Sequence, residues 1–420
     1  MKKVYIETFG CSFNQADSQI MKGLLSKDGF KIVNNPKKTD LLIINTCYVK
    51  TPTQERVTHR IKLLQRMSPD KKFIIAGCMT EIDPKRLEKI SPKSSWIGPH
   101  QIKNIVNVVN DTLNGKISRL IGEKRDIKVV LPRIKDNPLI DIVQICEGCC
   151  GCCSYCCTRF ARGKLFSYPV SLIVDEVKQG FKNSCKEFWI TAQDTAAYKF
   201  NEFRLPDLLD ELTKIEGKFF IRVGMMNPMH VKNIVNELIE SYKSEKIFKF
   251  LHLPVQSGSD HVLKMMNRGY SVKDFKDIVK KFRKKFPLLT LSTDVIVGFP
   301  EESNEDFQKT IDLMKEVKPD IVNVSKFGAR PKTKAAKMKQ LSRKIINERA
   351  KKIVEVIEKM KLENNKKWLN WKGEILIDEK GKKGGMIGRN FTYKPILTEG
   401  KLGSFHKVKI NKVHPTFLVG

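Results

Sequence analysis

A chain of 420 residues is long enough for two or three domains with buried cores, and a hydrophobic content of 41% excludes an intrinsically disordered protein. Its 78 Lys and Arg against 46 Asp and Glu give a formal charge of +32, more than solubility requires, and call for a polyanionic partner. Met1-Lys2-Lys3-Val4-Tyr5 leads straight into a strand pattern rather than a secretory signal, and no stretch approaches about eighteen apolar residues, so a cytoplasmic protein with no membrane partner is expected.

The first elements alternate between strand and helix. Val4–Phe9 reads as a strand, Ser18–Leu25 as a helix capped by Asp17 or Ser18, and Leu41–Thr46 and Phe73–Ala76 as buried apolar strands. This alternation predicts a parallel sheet covered by helices. Cys11, Cys47 and Cys78 each fall just past the carboxyl end of a strand, the edge at which such sheets bind ligands. The three thiols are therefore expected to converge, the alternative being three unrelated buried cysteines.

The pattern breaks up over 125–138, as a linker would. Six apolar strands follow, Leu139–Ile145, Glu187–Thr191, Phe219–Gly224, Phe248–Val255, Leu289–Gly298 and Asp320–Phe327, separated by helical patterns such as Ser171–Phe181, Pro206–Ile215 and Ser271–Phe286. Six β/α units predict a partial (β/α)6 TIM-type barrel. Leu341–Lys361 carries a helix-period stripe of Ile345, Ile346, Ile353, Val356, Ile357 and Met360. From Lys372 onward, short strands (Glu374–Asp378, Lys407–Asn411) and glycine turns predict a small β-barrel. The predicted fold is thus α/β, with a parallel-sheet domain over 1–125, the partial barrel over 135–360 and the β-barrel over 365–420. Residues 321–420 hold 25 Lys and Arg and 8 Asp and Glu, the electrostatic footprint of nucleic-acid binding.

Eleven cysteines, seven of them within 146–157, point to metal rather than disulfides in a reducing compartment. Cys149, Cys153 and Cys156 have the spacing CxxxCxxC, with which one tight loop supplies three thiolates to a [4Fe-4S] cluster and leaves one iron open. Cys146, Cys150 and Cys153 share that spacing. Gly148 before Cys149 and Tyr155 before Cys156, placed to cover a cluster and contact a nucleoside, favour the first set.

The CxxxCxxC loop after the first barrel strand resembles the radical S-adenosylmethionine superfamily, in which the open iron chelates the cofactor and reductive cleavage yields a 5′-deoxyadenosyl radical. The whole chain resembles the methylthiotransferases, whose terminal TRAM-type barrel is matched by Gly388-Arg389, Tyr393-Lys394-Pro395 and Leu402-Gly403. The resemblance implies that Cys11, Cys47 and Cys78 hold a second [4Fe-4S] cluster, which carries the sulfur to be inserted. It also implies two molecules of S-adenosylmethionine, one as methyl donor and one as radical source. Cys157-Thr158-Arg159-Phe160-Ala161-Arg162-Gly163-Lys164-Leu165, Ser167-Tyr168-Pro169 and Thr191–Tyr198 resemble the archaeal and eukaryotic branch. That branch converts N6-threonylcarbamoyladenosine beside the tRNA anticodon to its 2-methylthio form.

The implied partners are the anticodon stem-loop, a reductase or ferredoxin-type electron donor and a sulfur source. Alternatives are the related branch that methylthiolates a ribosomal-protein aspartate and a non-catalytic iron–sulfur or zinc RNA-binding protein. Cys146, Cys150, Cys152 and Cys157 depart from the family pattern and read as fillers of a buried loop or as ligands of another register or metal.

Further candidates lie at the carboxyl ends of barrel strands. Gln193 and Asp194 are expected to bind the amino group or ribose of the cofactor and Arg222 its carboxylate, the alternative being loop caps. Gln256 is the contact chosen from His252–Ser259, with His252 structural, and Gly298 is expected to admit the adenine or simply to make a turn. Lys326, Arg330, Lys332, Lys334 and Lys337 suit phosphate contacts. Lys380, Lys382, Lys383, Arg389 and Lys394 beside Phe391 and Tyr393 suit RNA loops.

Overall fold

The computed structural model describes residues 1–382 and 384–420, so Lys383 lies outside the described residues. They divide into two compact units. The first comprises Met1–Asp136, Ile142–Ile173 and Gly328–Ala336, and the second Asn137–Asp141, Val174–Phe327 and Lys337–Gly420.

In the first unit, six strands form one parallel sheet in the order Lys31–Val33, Lys3–Thr8, Leu41–Thr46, Lys72–Gly77, Ser95–Ile97 and Arg119–Leu120. Every residue of Leu41–Thr46 is buried, because helices cover both faces of this central strand. Leu41 and Ile43 pack with Ile20, Met21, Leu25 and Val109 on one side, whereas Leu42 and Ile44 pack with Val57, Ile61 and Leu64 on the other.

The first helix runs over Ser12–Lys27 with Cys11 at its N-cap, so the expected start at Ser18 is corrected. Asp17 and Ser18 are not caps. They are buried within the helix, where Asp17 meets Arg162, Lys128 and Gln144, and Ser18 meets Thr8 and Asn45. Tertiary partners, which the local sequence does not show, override the capping preference of these residue types.

In the second unit, Glu187–Thr191 pairs in parallel with Phe220–Val223, and Phe250–His252, Thr290–Val297 and Ile321–Lys326 form a second parallel sheet. A parallel bridge between Ile221 and Ile247 connects the two, and the Leu139 carbonyl accepts from the Lys186 and Glu187 amides. This is the expected progression of six strands. Ser271 and Ser303 cap the helices Val272–Lys285 and Asn304–Val317 in reciprocal capping boxes with Asp274 and Asp306. Helix Arg343–Lys366 buries Ile346, Ile353, Ile357 and Met360 of the expected stripe and leaves Ile345 exposed.

The terminal segment forms a six-stranded sheet around Trp368, Ile375, Ile377, Ile396, Ile410 and Leu418. Its contacts with the partial barrel lie at the amino ends of the barrel strands. The Asn137 side chain donates to the Asp378 carbonyl at 2.7 Å, the Lys249 amide donates to the Phe391 carbonyl at 2.8 Å, and the Phe248 and Tyr393 rings meet at 4.9 Å. Among the described residues no helix is long and apolar enough to cross a membrane.

Candidate cluster and cofactor sites

The strand order reverses between Lys3–Thr8 and Leu41–Thr46, and ligands in open parallel sheets bind at such a switch point. Cys11 and Cys47 leave those two strands, and Cys78 leaves the next. Gly10 has φ of +121°, and a Cβ there would lie 2.7 Å from the Cβ of Cys47, so only glycine lets the two loops approach this closely. The Asn14 side-chain amide donates to the Phe9 and Thr46 carbonyls at 2.9 Å each, and the Thr46 hydroxyl donates to the Ala76 carbonyl at 2.6 Å and accepts from the Met79 amide at 3.2 Å. The three cysteine-bearing loops are thereby tied together.

Cys47 and Cys78 are buried, and Cys11 is exposed. Burial, then the neighbouring Cys78 and Cys11, pushes the Cys47 thiol up to about 12, and burial raises Cys78 as well. Protonated, clustered thiols of this kind become ligands when a metal displaces their protons. Among the described residues no three His, Cys, Asp or Glu side chains converge on one metal ion. A four-iron cluster does not ask for that, because each thiolate takes a different iron.

In the second cysteine group, Cys149, Cys153 and Cys156 are half-buried in one loop. A Cβ on Gly151 would sit 3.3 Å from the Cys149 sulfur and 3.7 Å from the Cys153 sulfur, so both thiols close over a position with no side chain. Gly148, at φ +87°, leaves no room for a side chain, since a Cβ would lie 2.1 Å from the Lys164 carbonyl oxygen. Cys146 is fully buried and paired with Ser167 in an antiparallel ladder. Cys150 is exposed, and Cys152, also exposed, accepts from Arg159 at 2.9 Å. Cys157 fills the core beside Tyr48, Met79 and Ala161, with its thiol donating to the Tyr48 carbonyl at 3.6 Å. Tyr155 is half-buried in the same loop.

The sequence reading missed the polar core of this unit. Arg162 is buried, with Nη1 at 2.7 Å from both Asp17 Oδ2 and Glu147 Oε1 and Nη2 at 2.6 Å from Asn14 Oδ1. Lys128, also buried, donates to Glu147 and to the Pro99 carbonyl at 2.8 Å each. Two cations thus face two carboxylates. The one available signal was Arg162 itself, a charge set between Ala161 and Gly163 close behind the cysteines.

In the second unit, six side chains from five barrel strands, two of them on Phe250–His252, join a continuous belt. The Arg222 guanidinium stands 4.9 Å from the Trp189 ring and 5.2 Å from the Phe250 ring, Phe250 neighbours His252, His252 lies 3.3 Å from Asp294, and Asn323 donates to Asp294 at 2.7 Å. Asp294 and Asn323 were not among the sequence candidates; the lone charge in the run Leu289–Gly298 was the cue.

Asp194 is buried and holds its own loop, accepting from the Asn227 amide at 3.0 Å and lying 2.7 Å from His230 Nδ1. Gln193 is half-buried beside it. Gln256 takes φ of +69°, uncommon outside glycine, and its backbone bonds to Asp294 and Ile296. Gly298 is buried against Ile346, where a Cβ would meet Cγ1 at 2.5 Å.

Several basic residues expected at RNA are structural. Arg330 is buried and donates to Gln54 and Thr51 at 2.5 Å each. Lys394 is buried against Asp320 at 2.9 Å and Asn365 at 2.8 Å, Arg389 pairs with Asp378 at 3.2 Å, Tyr393 is buried, and Phe391 packs on Trp368. A small sheet needs such side chains for its core and its seam with the barrel, and composition does not distinguish them from surface ones. Lys326, Lys332, Lys334, Lys337, Lys380 and Lys382 are exposed.

Residues 3–98 match the family model described as an uncharacterised protein family, UPF0004, and residues 143–314 match that of the radical SAM superfamily. A relative from Methanothermobacter thermautotrophicus, named probable threonylcarbamoyladenosine tRNA methylthiotransferase, is 46% identical over 99% of both chains. One of the same name from Pyrococcus horikoshii is 42% identical over 100% of this chain and 99% of its own. The Homo sapiens threonylcarbamoyladenosine tRNA methylthiotransferase is 38% identical over 84% of this chain and 62% of its own. Among solved structures, the radical S-adenosylmethionine methyltransferase TsrM of Kitasatospora setae superposes with a TM-score of 0.59 at 13% identity, covering 80% of this chain and 75% of that one, a likeness of fold alone. The relatives' names support the tRNA-modifying branch, and the ribosomal-protein alternative finds no support in them. The chain belongs to the threonylcarbamoyladenosine tRNA methylthiotransferase family of radical SAM enzymes.

Proposed function

We propose that the protein converts N6-threonylcarbamoyladenosine beside the tRNA anticodon to 2-methylthio-N6-threonylcarbamoyladenosine. The observation that carries the proposal is the gathering of Cys11, Cys47 and Cys78 at the switch-point edge of one sheet, in a chain that has a second cysteine trio of radical SAM spacing. Cys149, Cys153 and Cys156 would hold one [4Fe-4S] cluster, and Cys11, Cys47 and Cys78 a second. Bound there, the clusters supply the electron that cleaves S-adenosylmethionine and the sulfur that reaches carbon 2 of the adenine, whose hydrogen no ordinary base removes.

The chain's own residues position these groups. The Asn14 and Thr46 bonds hold the amino-terminal ligands in register, and Gly151 leaves room for the loop thiols. Tyr155, Gln193, Asp194, Arg222, Gln256 and Gly298 remain the residues proposed to contact the cofactor, Asp194 through the loop it holds. The anticodon stem-loop is the proposed substrate. An electron donor of reductase or ferredoxin type and a sulfur source complete the reaction, in the cytoplasm, with residues 365–420 as a TRAM-type RNA-binding module.

The test is anaerobic reconstitution with threonylcarbamoylated tRNA, followed by mass spectrometry of the nucleosides. A new 2-methylthio nucleoside is expected. An unchanged nucleoside profile, from protein that cleaves S-adenosylmethionine, would reject this substrate.

A further inference from the structure

We infer that Glu302, anchored by Arg349, is a positioning residue for the cofactor: it fixes the turn at Gly298. The inference rests on Gly298 being the proposed contact of the adenine.

The turn joins the strand Thr290–Val297 to the helix Asn304–Val317, and its backbone needs holding. Gly298, at φ +75°, and Glu301, at φ +64°, are both left-handed, which is uncommon for a residue with a side chain such as Glu301. Glu302 closes the turn. Its amide donates to the Phe299 carbonyl at 3.1 Å, and its Oε2 accepts from the Gly298 amide at 2.9 Å. Arg349 holds the same oxygen, with Nη1 donating to Glu302 Oε2 at 2.6 Å and to the Glu302 carbonyl at 2.9 Å, and Nη2 donating to Asn304 Oδ1 at 2.9 Å. One guanidinium thus spans the end of the turn and the first residue of the helix behind it. Ile346, which covers Gly298, stands three residues before Arg349 on the helix Arg343–Lys366, and residues so spaced share a face. A single helix face therefore supplies both the packing on Gly298 and the cation behind its hydrogen bond.

The pair is buried, with side-chain exposures of 7% for Arg349 and 1% for Glu302. A buried ion pair often stabilises a fold no more than apolar side chains of the same volume would. This one is also incompletely satisfied, because Glu302 Oε1 and Arg349 Nε are buried with no hydrogen-bond partner among the described residues. What the pair supplies, and an apolar pair does not, is direction: an acceptor for the Gly298 amide, held in place by a planar fork. A ligand seated on backbone requires that backbone to be fixed by supporting side chains of this kind.

The experiment uses the full chain, reconstituted anaerobically and kept without reductant so that S-adenosylmethionine binds and is not cleaved. Equilibrium dialysis measures its affinity, and mass spectrometry measures backbone amide exchange. In the parent chain the cofactor should slow exchange over residues 295–302; no binding, or binding without such slowing, would overturn the inference at its premise. Arg349→Met with Glu302→Leu removes both charges and the acceptor of the Gly298 amide. It should weaken binding about tenfold and speed exchange over residues 295–302 in the metal-free chain. The midpoint of thermal unfolding should stay within about 4 °C of the parent. Arg349→Met with Glu302→Gln returns an oxygen to the Gly298 amide without its anchor, and should weaken binding only about threefold. Parental affinity in either variant, or equal loss in both, would overturn the role of Glu302 and Arg349. These readouts need no tRNA, so they are separate from the nucleoside proposed as substrate.

Discussion

Asn45 donates its side-chain amide to the Asn14 carbonyl at 2.9 Å, while the Asn14 amide donates to the carbonyl of Thr46, so each asparagine bonds the backbone of the other's segment at the edge where Cys11, Cys47 and Cys78 meet. Both are buried. Asn14→Ala should lower the stability of the metal-free chain by about 1–3 kcal/mol, because buried carbonyls lose their donor. It should also reduce iron retained per chain. Chemical denaturation and iron analysis check the two effects, and full iron retention would show that the loops stay in register without Asn14.

The two cysteine trios should be separable. Replacing Cys11, Cys47 and Cys78 together by alanine should remove about half of the iron and abolish methylthiolation while reductive cleavage of S-adenosylmethionine persists. Replacing Cys149, Cys153 and Cys156 should abolish both activities. Loss of cleavage in the first variant, with circular dichroism unchanged, would contradict this division of labour.

The register of the cysteine loop can be tested through Cys146, which is locked in a ladder with Ser167. Cys146→Ala should leave iron content and cofactor cleavage within about twofold of the parent, the modest loss reflecting only a small core cavity. Loss of about half of the iron would place Cys146 among the ligands instead.

Asp378 is buried beside Glu187, and burial is the main cause that pushes its carboxyl up to about 8, against the attraction of Arg389. Above pH about 4 the unfolded chain has released this proton and the folded chain has not. The contribution to stability is therefore largest below about 4 and falls as pH rises to about 8. Asp378→Asn should flatten that decline in thermal unfolding measured across the range, and an unchanged slope would show that Asp378 ionises normally.

Exposed lysines of the terminal sheet, rather than Arg389 and Lys394, should carry its RNA affinity. Lys380, Lys382, Lys407 and Lys409 are exposed, and replacing them with glutamine should weaken tRNA binding and lower the salt slope by about 1 for each phosphate no longer neutralised. Arg389→Ala should chiefly destabilise the fold, by about 1–3 kcal/mol, because the buried Asp378 carboxyl loses its hydrogen-bond donor. Filter binding over a salt series and thermal unfolding distinguish the two outcomes.

Periodicity and strand-end position are local properties, which is why the strand Leu41–Thr46, the six barrel strands and the convergence of three distant cysteines were legible in the amino-acid sequence. The cysteine spacing likewise identified the chemistry and narrowed the register to two. What the sequence alone could not decide was which polar side chains face inward. Asp17 reads as a helix cap and Arg389, Tyr393 and Lys394 read as an RNA surface, yet Asp17, Tyr393 and Lys394 are buried against residues distant in the chain and Arg389 is half-buried against Asp378. The same holds for Arg162, whose position against Asn14 and Asp17 joins residues 148 and 145 places apart. A buried charge is tolerated only where tertiary partners offset its desolvation, and those partners are brought together by the fold rather than by their order in the chain.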